Sequence, residues 1–306
     1  MKYYRVVLFL LAAALLCCSC AATKAPSSGN VLKTPSSKIK VAVSIVPLAD
    51  FVRQVGGDRV EVELLIPPGS SPHTFEPKPS QLRTLAEARL LVVVGLGLEF
   101  WKDKFVEASG NKALRVIELS RTIEVIDNES HDDHHGHGET GNPHIWLSPR
   151  NACCHVKAIR DALIAVDPEG EAFYRERSGR YLGTLEELDG EIREKTGKFS
   201  RKRFISHHAA WIYFARDYGL DQAAAIELSP GREPSPREVR DIVEEVKRIK
   251  ASAIFAEPQF SPKAAEVIGK ECGVAVLLLD PIGTRENLDY VPLMKRNVEQ
   301  MEKAMK

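Results

Sequence analysis

The chain has 306 residues, more than one ordinary domain needs, and with 44% apolar residues it can fill one large core or two ordinary ones. Its 42 basic and 42 acidic side chains cancel, so no overall field draws it to nucleic acid or to an acidic surface. Removing residues 1–19 takes away Lys2 and Arg5 and no acid, leaving the rest near −2, so any specificity has to be local.

Residues 1–19 read as a signal peptide: Lys2 and Arg5 precede an apolar run from Val6 to about Leu16, too short for a stable membrane span. The end of this segment resembles a bacterial lipoprotein signal, in which a small residue precedes a lipidated cysteine. Ser19 selects Cys20 as that residue, with Cys18 as the alternative. Residues 20–38 are rich in Ala, Thr, Pro and Ser, a composition that cannot order itself, and are expected to be a flexible tether. Cys153, Cys154 and Cys272 remain after it, an odd set without paired spacing, read as small buried apolar residues.

The folded part begins with a predicted strand over Ile39–Val46, followed by a helical pattern at Leu48, Phe51, Val52 and Val55 that Gly56-Gly57 stops. Strands follow at Val60–Ile66, Leu90–Val94 and Leu114–Leu119, with a short helix at Ser80–Ala88. Strands apolar on both faces and separated by helices imply parallel sheet covered on both sides. Residues 167–197 carry one apolar stripe, Tyr174, Tyr181, Leu185, Leu188 and Ile192, on a polar background. Asp167 suits an N-cap, Pro168 the first helical position and Gly197 the stop, so one long rigid helix is expected between two lobes. The pattern then restarts with strands near Arg203–Ser206, Ala223–Leu228, Ala253–Ala256 and Val274–Leu279, and a helix over Pro236–Lys250. The predicted class is α/β: an N-terminal lobe over 39–166, the linking helix over 167–197 and a C-terminal lobe over 198–306, each lobe holding a mainly parallel sheet flanked by helices.

Ligands of open α/β sheets bind beyond the carboxyl ends of strands, which makes a polar side chain there a candidate. His73 follows the second strand, His144 sits in Asn-Pro-His-Ile-Trp, His208 closes Phe-Ile-Ser-His-His beside His207, and Asp280 ends Val-Leu-Leu-Leu-Asp. Their separations of 71, 64 and 72 residues distribute them over four strand-loop units, two on each side of the long helix. Three neutral imidazoles and a carboxylate form a four-coordinate nitrogen and oxygen set suited to Zn²⁺, whereas Mn²⁺ prefers more oxygen. Glu257, ending Ile-Phe-Ala-Glu, is either an acceptor behind the site or a loop ion-pair partner. His155 reads as a core residue.

Five of the nine histidines fall within residues 129–146. His131, His134, His135 and His137 alternate with acidic residues and glycine in an insertion over 129–139, whose spacing dictates no single geometry and which is expected to bind metal only weakly.

From about Lys38 onward the sequence resembles the metal-binding extracytoplasmic proteins of zinc and manganese ABC importers. The resemblance rests on PHTFEPKPS around His73, NPHIWLSP around His144, HAAWIYFARDYGL from His208 and LLLDPIG around Asp280. It implies that these four residues are the metal ligands and that a rigid helix bridges two lobes. The family places an aromatic five residues after its third ligand, and Tyr213 selects His208 over His207. Manganese-binding relatives commonly carry Glu at that position, so a histidine favours zinc. Where relatives often have Asp next, this chain has Ala209.

The resemblance thus implies a monomeric lipoprotein, outside the cytoplasm and held to the membrane by its N-terminal lipid, that passes Zn²⁺ to an ABC permease driven by a cytoplasmic ATPase. The alternatives are a manganese-binding homologue, a surface adhesin and a zinc hydrolase. The hydrolase needs an open coordination position and a base, which Asp280 as fourth ligand and Glu257 as the only obvious base candidate do not readily supply.

Overall fold

The computed structural model describes residues 38–127, 141–227, 231–285 and 288–306, which lie in one compact unit. The predicted signal, the lipid-anchor cysteine Cys20, the tether up to residue 37 and the loop histidines His131, His134, His135 and His137 lie outside the described residues.

In the first lobe the strands are Ile39–Val43 (β1), Val60–Leu64 (β2), Leu90–Val93 (β3) and Arg115–Glu118 (β4), all paired in parallel in the order β2-β1-β3-β4. Leu-Leu-Val-Val of β3 is buried along its whole length, as a strand covered on both faces must be. At the edge, Val-Glu-Val-Glu-Leu of β2 alternates buried and wetter positions. The helices are Val46–Gly56 (α1), Pro79–Glu87 (α2), Lys102–Ser109 (α3) and Pro149–Val166 (α4). α1 and α4 both open with a proline in the first turn, where its missing N–H costs nothing, and the Ser148 hydroxyl caps α4 by accepting from Asn151 N–H.

The linking helix α5 runs Glu171–Gly197 and buries Tyr174, Ser178, Tyr181, Leu185, Leu188, Ile192 and Thr196 on one stripe. It starts later than the sequence suggests: Pro168–Gly170 form a 3₁₀ turn, and Asp167 does not cap. Its carboxylate instead accepts from the buried Arg59 at 2.6 and 2.8 Å and from the Tyr174 hydroxyl at 2.7 Å. A charge-assisted pair with a guanidinium that needs a partner prevails over a cap.

The second lobe repeats the first. Its strands Arg203–Ser206 (β5), Asp221–Ala225 (β6), Ala253–Ala256 (β7) and Ala275–Leu278 (β8) pair in parallel in the order β6-β5-β7-β8, with helices Ile212–Tyr218 (α6), Pro236–Ile249 (α7) and Lys263–Cys272 (α8). The last helix, Tyr290–Met305 (α9), returns to pack on α5 and α1. Tyr290 is fully buried where it arrives; its N–H donates to Asp50 at 3.0 Å and its hydroxyl to the Trp146 carbonyl at 2.7 Å. Trp146 donates from its indole N–H to the Pro281 carbonyl at 2.6 Å. One apolar core therefore runs from the first sheet through α5 to Phe204, Phe255 and Leu279 of the second lobe.

A three-histidine site between the lobes

Each candidate side chain is delivered by a loop leaving the carboxyl end of a strand. His73 sits on the proline-rich connection from β2 to α2, in which Pro67, Pro68, Pro72 and Pro77 restrict the backbone. Beyond β4, Asn142-Pro143-His144 leads into a 3₁₀ turn of Ile145, Trp146 and Leu147, none of which is exposed to solvent; these three anchor the turn in the core and leave His144 at its rim. His208 follows β5, and Ser206 holds its backbone by donating from its hydroxyl to the His208 carbonyl at 2.7 Å.

Three rings meet. Nε2 of His144 lies 3.0 Å from Nε2 of His73 and 2.8 Å from Nε2 of His208. The ligand nitrogens of all three lie within 4.8 Å of one another, the group of this kind among the described residues. Around them is a cavity of about 10 Å³, close to the space of one water, lined also by Ser71, Gln259, Phe260 and Ile282. Burial, followed by the neighbouring imidazoles, pushes the His73 pKa down to about 3 and that of His144 well below the ordinary value, so both rings are neutral near pH 7. Neutral imidazoles whose nitrogens converge on a small cavity are the donor set of a borderline divalent cation.

The rings are supported unequally. Nδ1 of His144 is 2.8 Å from Asn142 Oδ1, and Nδ1 of His208 is 2.7 Å from Glu257 Oε1, a close contact whose angle falls short of a hydrogen bond. Glu257 also accepts from the His208 backbone N–H at 3.4 Å, so it stands directly behind this ring. His207 turns away: its ring stacks on Phe260 at 4.8 Å and its Nε2 is 3.2 Å from Glu227.

Asp280 is adjacent to the meeting point without joining it. Oδ1 accepts from Gln259 at 2.8 Å and from the Gly283 N–H at 2.9 Å, while Oδ2 is buried without a hydrogen-bond partner. Asn297 of α9 holds the backbone on both sides, accepting from Asp280 N–H and donating to Asp280 C=O, each at 2.8 Å. Burial raises the Asp280 pKa despite those donors. His155 is in the first lobe's core, its Nδ1 3.2 Å from Thr122 Oγ1. Sequence reasoning did not single out Asn142 or Gln259. Asn-Pro reads as a turn signal, and the polar residue two places after Glu257 gives no sign of its reach to Asp280.

A family profile described as zinc-uptake complex component A, periplasmic, matches residues 41–304. The chain belongs to this family. Among relatives of the zinc-uptake component, the zinc-binding lipoprotein AdcA of Streptococcus pneumoniae strain R6 is 31% identical over 284 residues, 89% of this chain. This chain spans only 57% of that relative's length. A Treponema pallidum protein whose name describes it as metal-binding is 31% identical, with 89% of this chain and 90% of its own covered. A crystal structure of ZnuA superposes with a TM-score of 0.80 at 34% identity, covering 88% of this chain and 100% of its own. The Zn(II)-bound ZnuA-like domain of S. pneumoniae AdcA gives 0.75 at 30% identity, with 88% of this chain and 99% of its own covered.

Proposed function

We propose that this chain is an extracytoplasmic zinc-capture protein that holds one Zn²⁺ between its lobes and hands it to an ABC permease. The observation that carries the reading is the meeting of three imidazoles from both lobes at one ion-sized cavity. His73, His144 and His208 supply three ligands, and Asp280 supplies the fourth through the buried oxygen that its hydrogen bonds leave free. The names of AdcA and of its zinc-bound domain support zinc as the cargo. The nitrogen-rich donor set favours Zn²⁺ over Mn²⁺ on its own chemistry.

No turnover is part of the reading. Glu257, the one obvious base candidate, lines the cavity with an oxygen against Nδ1 and the backbone N–H of His208, which suits orientation of a ligand. Cys20 carries the lipid that holds the chain to the membrane, the tether gives it reach to the permease, and it acts as a monomer. His131, His134, His135 and His137 add weak, exchangeable sites.

Titration of the purified mature chain with Zn²⁺ and Mn²⁺ under matched metal buffering tests the proposal. One tight zinc site is expected, and deletion of residues 129–139 removes weak sites only. A preference for manganese, or loss of the tight site in the deletion, overturns it.

A further inference from the structure

Asn142 is almost fully buried, 2% exposed, and each of its polar groups has a partner. Its backbone N–H donates to the Ile126 carbonyl at 2.9 Å and its carbonyl accepts from the Tyr213 hydroxyl at 2.8 Å. On the side chain, Oδ1 accepts from the His144 backbone N–H at 3.0 Å and lies 2.8 Å from His144 Nδ1. Nδ2 donates to the carbonyl of Ala209 at 2.6 Å, one residue beyond His208 in the other lobe.

This pattern leaves no freedom in the hydrogens. A backbone N–H can only donate, so the amide atom facing the His144 N–H is the oxygen; a carbonyl can only accept, so the atom facing Ala209 is the nitrogen. Oδ1 cannot donate, and the His144 nitrogen beside it must therefore carry the proton. In a neutral imidazole that assigns the lone pair to Nε2, the atom aimed at His73 and His208. Pro143 stiffens the turn that brings Oδ1 back over His144, an Asx-type arrangement with one fixed φ.

We propose that Asn142 is a positioning residue of the site: its side-chain oxygen locks the metal-ready tautomer of His144, and its amide nitrogen ties that ring to the chain beside His208 across the lobe boundary. The proposal rests on the zinc reading for its consequence but not for the tautomer, which the hydrogen-bond pattern of Asn142 assigns by itself. His144 and His208 then approach a metal as one preset pair, and the entropy of aligning two imidazoles is met during folding rather than on binding.

The test uses the full mature chain and two variants. Asn142→Ala removes both side-chain bonds; Asn142→Asp keeps the acceptor and removes the donor. Nitrogen-15 NMR of the histidine rings in metal-free protein is expected to show one Nδ1–H tautomer for His144 in the wild type and in Asn142→Asp, and a mixture in Asn142→Ala. Zinc affinity, measured with Zn²⁺ against a competing chelator, is expected to fall in the order wild type, Asn142→Asp, Asn142→Ala, with the last weaker by roughly 10- to 100-fold, as for other groups that orient a ligand. An unchanged tautomer in Asn142→Ala overturns the locking role, and equal affinity of the wild type and Asn142→Asp overturns the cross-lobe tie. Failure of the wild type to bind zinc tightly overturns the zinc reading instead, and the NMR result still decides the role of Asn142.

Discussion

The two lobes share a strand order and differ in how they bury it. In the first, β1 and β3 sit in a core that continues without a break into α5 and α9. In the second, the sheet is divided: Phe204, Phe255 and Leu279 join that shared core, whereas Ile205, Ile254 and Ala256 pack with Ile242, Val246, Ala265 and Ile268 in a separate, smaller cluster beneath α7 and α8. A site fed by both lobes is thus mounted on the common core, and one outer layer of the second lobe is stabilised by itself. Local opening free energies follow such divisions, so the α7 and α8 layer is expected to open more readily than the shared core.

The largest expected effect asks whether the lobes contribute equally to binding. Structural zinc in small peptides is worth about 10–16 kcal/mol, which over four proposed ligands is roughly 2.5–4 kcal/mol each. His144→Ala in the first lobe and His208→Ala in the second should each weaken zinc by roughly two to three orders of magnitude in competition titrations. Full affinity in either variant would break the symmetry and remove that residue from the site.

Next comes the divided core. Leu91→Ala in β3 and Ile254→Ala in β7 each delete a wholly buried side chain and should cost about 3 kcal/mol. Their reach should differ. Hydrogen exchange is expected to accelerate throughout the protein for Leu91→Ala, but chiefly in α7 and α8 for Ile254→Ala, with zinc affinity retained. A uniform response to both would mean that the smaller cluster is not an independent unit.

A smaller effect tests the support behind the second lobe's ligand. Glu257→Gln keeps the shape beside His208 Nδ1 and removes the charge, and should weaken zinc by roughly 10- to 100-fold, with thermal stability of the metal-free protein little changed. An unaltered affinity would leave Glu257 as a loop residue only.

Much of this architecture was legible because its signals are local. Leu-Leu-Val-Val announces a covered strand, the stripe from Tyr174 to Ile192 announces a helix, and His73, His144 and His208 each lie in a loop that follows a predicted strand. Partners far along the chain were not legible. Asp167 looks like a cap until Arg59, 108 residues away, claims its carboxylate. Trp146 reads as a flanking aromatic, yet its indole reaches Pro281, 135 residues on, and closes one lobe against the other. Asn142 reads as half of a turn because nothing near it in sequence shows that Ala209 lies within reach. Long-range partners decide which of several locally sensible roles a polar residue takes.

A last comparison separates the lobes by acid, with an effect that vanishes near neutral pH. His155 of α4 is wholly buried in the first lobe between Phe51 and Thr122, and burial pushes its pKa down to about 3. Once unfolded, it takes a proton at about pH 6.5, so below that value the unfolded chain binds more protons than the native one and stability falls with pH. The loss accrues between about 6.5 and the folded value and is absent above 6.5, with a slope limited to about 1.4 kcal/mol per pH unit for one group. Asp50, Glu99 and Asp280 act with the opposite sign: burial raises their folded pKa above the unfolded carboxyl value, so the native state takes up these protons first and is favoured as pH falls through the folded values. The bulk acid profile mixes both, but comparison with His155→Gln isolates the histidine. Chemical denaturation of metal-free protein should show a constant difference between wild type and variant from pH 8 to about 6.5. Toward pH 4 the difference should shift progressively in favour of the variant, with first-lobe amides exchanging faster in the wild type. A difference that stays constant down to pH 4 would mean that His155 protonates as readily in the folded lobe as in the unfolded chain.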